Sequence, residues 1–292
     1  MPSLIEVRKK ILSVSNTRKI TQAMELVAAS RMKSFQRKAM SIRAYAHGLL
    51  ELLLQNGQSI QELSYSEKRT EGATLFVLIT SDKGLCGAMN TRLVRELFQS
   101  EAWNALAEKD RLLITVGRKS QDAARKFNAP VLRTYQGVKE DLDQLDALEI
   151  VDTILGYWER KECREVRLIA PEYVNPFVFH TQMKTYLPLG TDMLLEHKLL
   201  EMEPEPIPEP VQEPSSERVA ESLSEQLVQM LFTQAFFELK ATEYSSRMVA
   251  MKNATEAAKE LGRSLALTYN KARQAKITQE LAEISGAVAA ME

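Results

Sequence analysis

The stretch Ser81-Asp-Lys-Gly-Leu-Cys-Gly-Ala-Met-Asn90 has the residue types that could do chemistry. A glycine-bearing loop between a strand and a helix can offer its backbone N–H groups to a phosphate. This one matches neither the phosphate-loop spacing nor the spaced glycines of a dinucleotide fingerprint. Two readings stay open, a phosphate cradle or a turn in which Gly84 and Gly87 serve backbone geometry and helix packing, and the spacing favours the turn. Cys86 lies close to a helix start, where a thiol pKa can fall, or it is simply a packed small residue. His47, His180 and His197 are far apart, with no local carboxylate or cysteine to build a catalytic dyad or a metal site. Cys86 and Cys163 have neither metal-ligand spacing nor the density of a disulfide scaffold, which suits a reducing compartment. No catalytic residue, cofactor or metal ligand is expected.

The loop follows the apolar run Thr74-Leu-Phe-Val-Leu-Ile-Thr80, which is too short for a helix and reads as a buried strand. A helix from Asn90 to about Ala107, a strand at Arg111–Gly117, a helix from Arg118 and a strand at Val131–Tyr135 come next. A helix over about Leu142–Lys161 and strands at Val166–Ala170 and Phe177–Tyr186 complete the series. Strands alternating with helices imply a small α/β domain around a largely parallel sheet.

Both ends of the chain have a different character. Pro2 is the only proline of the first 47 residues, and Ser215 to Glu292 contains none. The second stretch permits one helix of about 70 residues, about 100 Å long at 1.5 Å per residue. Leu4, Val7, Ile11, Val14, Ala28, Met32, Phe35, Ala39, Ile42, Ala46, Leu49 and Leu53 recur in steps of three and four, a coiled-coil seam. Arg18, Thr21 and Glu25 interrupt it, and the apolar stripe is expected to shift there to Ile20, Met24 and Val27. Leu223, Leu227, Met230, Phe237, Ala241, Tyr244, Met248, Met251, Ala258, Leu265, Tyr269 and Ala272 form the matching row. Ile11, Phe35, Phe237 and Met248 are its expected packing residues.

The domain reading is therefore an N-terminal coiled-coil helix over 1–56, an inserted α/β domain over 72–190, an acidic proline-rich loop over 191–216 and a C-terminal coiled-coil helix over 217–286. Pro204-Glu-Pro-Ile-Pro-Glu-Pro210 favours an extended polyproline-like conformation.

Lys plus Arg (38) nearly balances Asp plus Glu (39), so net charge points to neither nucleic acid nor membrane. The first helix carries a local basic excess, Arg8, Lys9, Lys10, Arg18, Lys19, Arg31, Lys33, Arg37, Lys38 and Arg43 against Glu6, Glu25 and Glu51. No aromatic platform accompanies these cations, which argues against nucleic acid. They are a solvated coiled-coil face or a surface steered toward acidic loops of a partner. No window reaches the length of a membrane span and no signal sequence is recognised.

Three segments carry a resemblance. Thr17-Arg-Lys-Ile-Thr-Gln-Ala-Met-Glu-Leu-Val-Ala-Ala-Ser-Arg-Met32, the loop Ser81–Asn90, and Arg247-Met-Val-Ala-Met-Lys-Asn-Ala-Thr255 continued by Tyr269-Asn-Lys-Ala-Arg-Gln-Ala-Lys-Ile-Thr-Gln-Glu-Leu281 closely resemble gamma subunits of F-type ATP synthases. The resemblance implies an antiparallel, left-handed coiled coil of the terminal helices with an inserted Rossmann-like α/β domain. It implies a non-catalytic rotor shaft that couples ion flow through a c-ring to ATP synthesis or hydrolysis in a head of alpha and beta subunits. The epsilon subunit and c-ring are its other implied partners, and the cytoplasmic face of a bacterial plasma membrane its implied location. Arg18, Lys19, Met24, Arg31 and Lys33 are implied to face the acidic lever loops of the beta subunits. Arg273, Gln274 and Thr278 are implied to lie near the catch on the upper shaft. The redox-regulatory insertion of chloroplast members is missing, and the Pro-Glu segment departs from the family pattern. Two other classes stay open from the residues alone: a phosphate- or nucleotide-binding enzyme with helical dimerisation arms, and a coiled-coil adaptor.

Overall fold

The computed structural model describes residues 4–55, 65–142, 144–199, 213 and 215–289. The Pro204–Pro214 segment lies outside them apart from Glu213. Helix α1 (Leu4–Gln55) and helix α7 (Ser216–Ala289) are 52 and 74 residues long. They pass through two compact units, one formed by Ala29–Ser246 and the other by Met1–Ala28 with Arg247–Glu292.

The larger unit holds a five-stranded sheet in the order β3-β2-β1-β4-β5. Its strands are β1 (Ala73–Ile79), β2 (Arg111–Val116), β3 (Val131–Tyr135), β4 (Cys163–Asn175) and β5 (Val178–Leu187). The first four run parallel, and β5 returns antiparallel to β4. Leu75 to Ile79 are all fully buried, which accounts for the unbroken apolar run: a central parallel strand is covered on both faces. Helix α2 (Met89–Phe98) packs on β1, β4 and β5, α4 (Arg118–Lys126) on β2 and β3, and α5 (Gln144–Glu159) on β4. The sheet is thus the expected one, with an antiparallel edge.

The helix expected over Asn90–Ala107 is instead α2 followed by α3 (Glu101–Asn104) and a 3-10 turn at Glu108–Asp110. Ser100 makes the break, because its Oγ donates to Leu97 O at 2.7 Å, closing α2, and accepts from Trp103 N at 3.2 Å, opening α3. The segment expected to be loop from 191 opens with α6 (Thr191–Glu196), whose Met193 and Leu194 are buried. Two apolar residues in a row anchor that turn to the domain. Proline and glutamate dominate only after it.

In the larger unit α7 becomes fully enclosed, and from Phe236 to Ser245 every residue is buried. It packs against the sheet, where Tyr186 Oη donates to Val228 O at 2.7 Å, and against α1, where Phe35 stacks with Phe237 and Tyr244 at 6.1 and 5.5 Å between centroids. Arg43 of α1 reaches Glu238 of α7 at 2.8 Å.

In the smaller unit the helices pair antiparallel, with Thr21 beside Thr255, hydroxyls 2.8 Å apart, and Val14 beside Gly262. Seven residues toward the start of α1 correspond to seven toward the end of α7, one heptad. The apolar stripe does not shift. Thr21 is buried, Arg18 and Glu25 are half-buried, and Ile20 and Val27 are 60% and 59% exposed. Heptad phase wins over side-chain polarity, because Thr21 and Thr255 satisfy each other across the seam. Met24 alone of the expected shifted stripe is half-buried, at the edge of that seam. Ile11 and Met248 are also half-buried, while Phe35 and Phe237 are 1% and 5% exposed. Of the four expected packing residues, only the aromatic pair is fully enclosed, alongside aliphatic seam positions such as Ala28, Met32 and Leu49.

Candidate functional site

The Ser81–Asn90 loop spends its polar groups on itself and its neighbours. Asn90 Oδ1 accepts from Ser81 N, and Asn90 Nδ2 donates to Ser81 Oγ at 2.8 Å and to Cys86 Sγ at 3.1 Å. At the nearby start of α4, Arg118 N donates to Asp82 Oδ1 at 2.9 Å, Lys119 N to Ser81 O and Ser120 N to Thr80 Oγ1 at 2.7 Å. Asp82 Oδ1 also accepts from Gly137 N at 3.3 Å. The Asp82 carboxylate thus sits at the N-terminus of α4, where a negative charge is stabilised. The open cavity beside it, about 480 Å³, is lined by both signs of charge, including Asp82, Lys83, Arg118, Lys240 and Glu243. Gly87 has φ +59°, as a turn residue would, whereas a Cβ at Gly84 would meet nothing. The turn-geometry reading holds at Gly87 and is not required at Gly84. Cys86 is buried at 2% exposure, and Cys163 is buried with its thiol pushed up to about 11, chiefly by that burial.

The helix positions form two groups. Arg18, Lys19 and Met24, with Arg273, Gln274 and Thr278, belong to the smaller unit; Arg31 and Lys33 belong to the larger. Lys19, Arg31, Lys33, Arg273, Gln274 and Thr278 are exposed, and Arg18 and Met24 half-buried. Thr278 Oγ1 donates to Gln274 O at 3.0 Å. In the register that sets Thr21 beside Thr255, Arg18 lies opposite residue 258. Arg273 stands 15 residues further along α7, about 22 Å at 1.5 Å per residue. Pairing therefore does not bring Arg273, Gln274 and Thr278 beside Arg18, Lys19 and Met24.

Among the described residues, no ion pair is formed by Arg18, Lys19, Arg31, Lys33 or Arg273. Lys38, which sequence reasoning had not separated from them, behaves differently. Its Nζ lies 2.7 Å from Asp141 Oδ1 and over the Phe35 and Phe237 rings, 5.7 and 5.4 Å from their centroids. Its hydrogen bond holds the Asp141 carboxyl below the usual range. The signal was the three-residue step from Phe35 to Lys38, which puts a cation over an aromatic seam.

A second polar cluster, unforeseen in the sequence, joins the sheet to α7. Glu172 on β4 is paired with Lys198 at 2.7 Å and accepts from Gln182 Nε2 at 2.7 Å. Glu238 on α7 accepts from Arg43 and, at 2.9 Å, from Gln234 Nε2. Burial would raise the Glu172 pKa, but the Lys198 hydrogen bond and the charge of Lys184 hold it low. Burial lowers the Lys184 pKa against the pull of Glu172 and Glu238. His197, at the end of α6, contacts Thr185 O through Nε2 at 2.8 Å, so that nitrogen carries the proton. Its pKa falls to about 4, first through burial and then through Lys184, against Glu172 and the Thr185 carbonyl.

The unfolded chain protonates His197 near pH 6.5 and the folded one only near 4. This contribution is therefore complete above pH 6.5 and declines as pH falls toward 4, by about 2 kcal/mol at pH 5. Urea unfolding at pH 7.5 and 5 should show that loss, and His197→Gln should flatten it.

Two long helices that pair through a seam and carry exposed cations, attached to an α/β domain, define a protein built around extended helical surfaces. The ATP synthase family profile matches residues 3–291. The chain is 32% identical to the ATP synthase gamma chain of Akkermansia muciniphila, covering all of both, and 35% identical to that of Coxiella burnetii, covering 98% of each. Among solved structures, it is similar to the central stalk and c-ring structure of Tetrahymena thermophila mitochondrial ATP synthase. That match has 28% identity, TM-score 0.61, and covers 80% of this chain and 99% of the other. A chain of the Euglena gracilis mitochondrial enzyme shares the fold, with 20% identity and TM-score 0.68 over 99% of this chain and 94% of its own length. The chain belongs to the ATP synthase gamma-chain family. Its function is that of the rotor stalk, which couples ion flow to ATP synthesis or hydrolysis by rotation.

Proposed function

We propose that this chain is a non-catalytic rotor whose exposed cations meet acidic loops of three surrounding beta subunits. The observation that carries this reading is the set Arg18, Lys19, Arg31 and Lys33, four cations on α1 without ion pairs among the described residues. Met24 adds a half-buried apolar contact on the same helix, and Arg273, Gln274 and Thr278 form a separate group nearer the end of α7. Alpha and beta subunits form the head, epsilon and the c-ring bind the other end, and the complex lies at the cytoplasmic face of a bacterial plasma membrane. Among the described residues no helix is long and apolar enough to cross a membrane, which is consistent with peripheral attachment.

The mechanism follows from symmetry. Three identical beta subunits around one asymmetric rotor each meet a different face, and differential contact energy biases each toward a different conformation. Turning the rotor exchanges those biases. Exposed ion pairs contribute about 0–1 kcal/mol each, weak enough to break and re-form at every step. Permanent grip would stop rotation.

The double variant Arg31→Glu/Lys33→Glu tests the contact. It should leave helix content and unfolding temperature unchanged and lower ATP-driven ion pumping relative to ATP hydrolysed. Wild-type coupling in that variant would exclude the electrostatic contact.

A further inference from the structure

Between the sheet and α7 lies a small cavity of about 30 Å³, with Leu168 and Leu231 among its apolar walls. Its polar lining comes from Glu172, Gln182 and Lys184 on the β4–β5 hairpin, from His197 after α6, and from Gln234 and Glu238 on α7. Each glutamine donates its Nε2 to a carboxylate, Gln182 to Glu172 and Gln234 to Glu238. Those carboxylates fix both amide orientations, since a reversed amide would set oxygen against oxygen. Both Oε1 atoms are then buried without a protein partner among the described residues.

We propose that this cavity is a binding site for one internal water, donating to Gln182 Oε1 and Gln234 Oε1 and accepting from Lys184 Nζ. A water needs a cavity of ~10–15 Å³ or more and two to four polar partners, and both conditions are met. The lining selects the occupant. Two carbonyl oxygens repel an anion, and Lys184, with Arg43 and Lys198 beside the carboxylates, disfavours a cation. Water supplies the two donors and one acceptor that this lining needs. The Lys184 amine, depressed by burial, gains a hydrogen-bonding partner there. The water ties the hairpin to α7 by directional bonds. That tie becomes a path for torque from the α/β domain to α7, a consequence that rests on the rotor reading while the site itself does not.

A high-resolution map of the full chain tests the site. One ordered water within hydrogen-bonding distance of the three named atoms is expected. An empty cavity in a map that resolves other internal waters would overturn the proposal. So would Lys184 Nζ bonded directly to both amide oxygens, or a peak with the ligand number of a metal ion. Water-oxygen magnetic relaxation dispersion gives a second readout, in which Gln234→Leu should hold one long-lived water fewer than wild type. An unchanged count in the folded variant would contradict the site; if the variant does not fold, the wild-type map decides.

Discussion

Replacing Phe35 by alanine is expected to lower the unfolding free energy by about 3–5 kcal/mol, the range for emptying an aromatic site in a packed core. Phe35 is 1% exposed and lies against two rings of α7, Phe237 and Tyr244, both in near-parallel stacking. The loss has three parts: transfer of the ring, the cavity left behind, and two aromatic contacts contributing about 0.5–1.5 kcal/mol each. Lys38 would also lose one of the two ring faces beneath its cation, while its already exposed pair with Asp141 adds little. Urea unfolding of the purified chain measures the change. Phe35→Leu, which keeps most of the volume, should lose less than half as much. Equal losses in the two variants would show that ring stacking, rather than filled space, dominates the site.

The second large effect is expected at Gly117, the residue between β2 and α4. Its φ of +94° with ψ of 151° is a conformation for which only glycine is suited. A Cβ there would meet the Thr80 carbonyl carbon at 2.8 Å and overlap its oxygen. Thr80 cannot yield, because its N donates to Val116 O at 2.8 Å and its Oγ1 accepts from Ser120 N. Backbone strain costs about 1–3 kcal/mol and forced overlap a similar amount, so Gly117→Ala should destabilise the chain by about 4 kcal/mol. Gly137→Ala is the internal control, since its φ is +65° but its Cβ would meet nothing. It should cost only about 1 kcal/mol. Thermal unfolding of the two variants side by side separates steric overlap from backbone strain. Equal shifts would mean that the Thr80 contact relaxes.

Most of the architecture was legible in the sequence because it rests on local signals. Leu75 to Ile79 announce a central strand by lacking any polar face, and the proline-free ends announce long helices. What escaped depends on residues distant in sequence. Thr21 breaks an apolar seam until Thr255, brought opposite by antiparallel pairing, gives it a partner. Ile20 and Val27 look like the natural replacement stripe, yet helix phase points them outward. The Gln234–Glu238 pair on α7 escaped notice, because nothing local shows that Arg43 and the β4–β5 hairpin close around it. Ser100 and α6 are smaller cases, where one side-chain cap and two buried apolar residues override composition.

The candidate contact residues were legible in a different sense. Their choice came from the resemblance, whereas the separation of the α1 set from the α7 set along the helices required the observed register. Lys38 had the same residue type as Lys33 and proved to be committed to Asp141 and the aromatic seam. Charge alone does not distinguish a partner-facing cation from an internal one.

The most direct test of the rotor account is to watch the chain turn. A bead attached to the exposed α/β domain, with the cognate alpha–beta head fixed to a surface, should rotate in one direction on addition of ATP. Three pauses per revolution are expected, one for each beta subunit. A head that hydrolyses ATP at the full rate while the bound chain stays still, or that never binds the folded chain, would contradict the account.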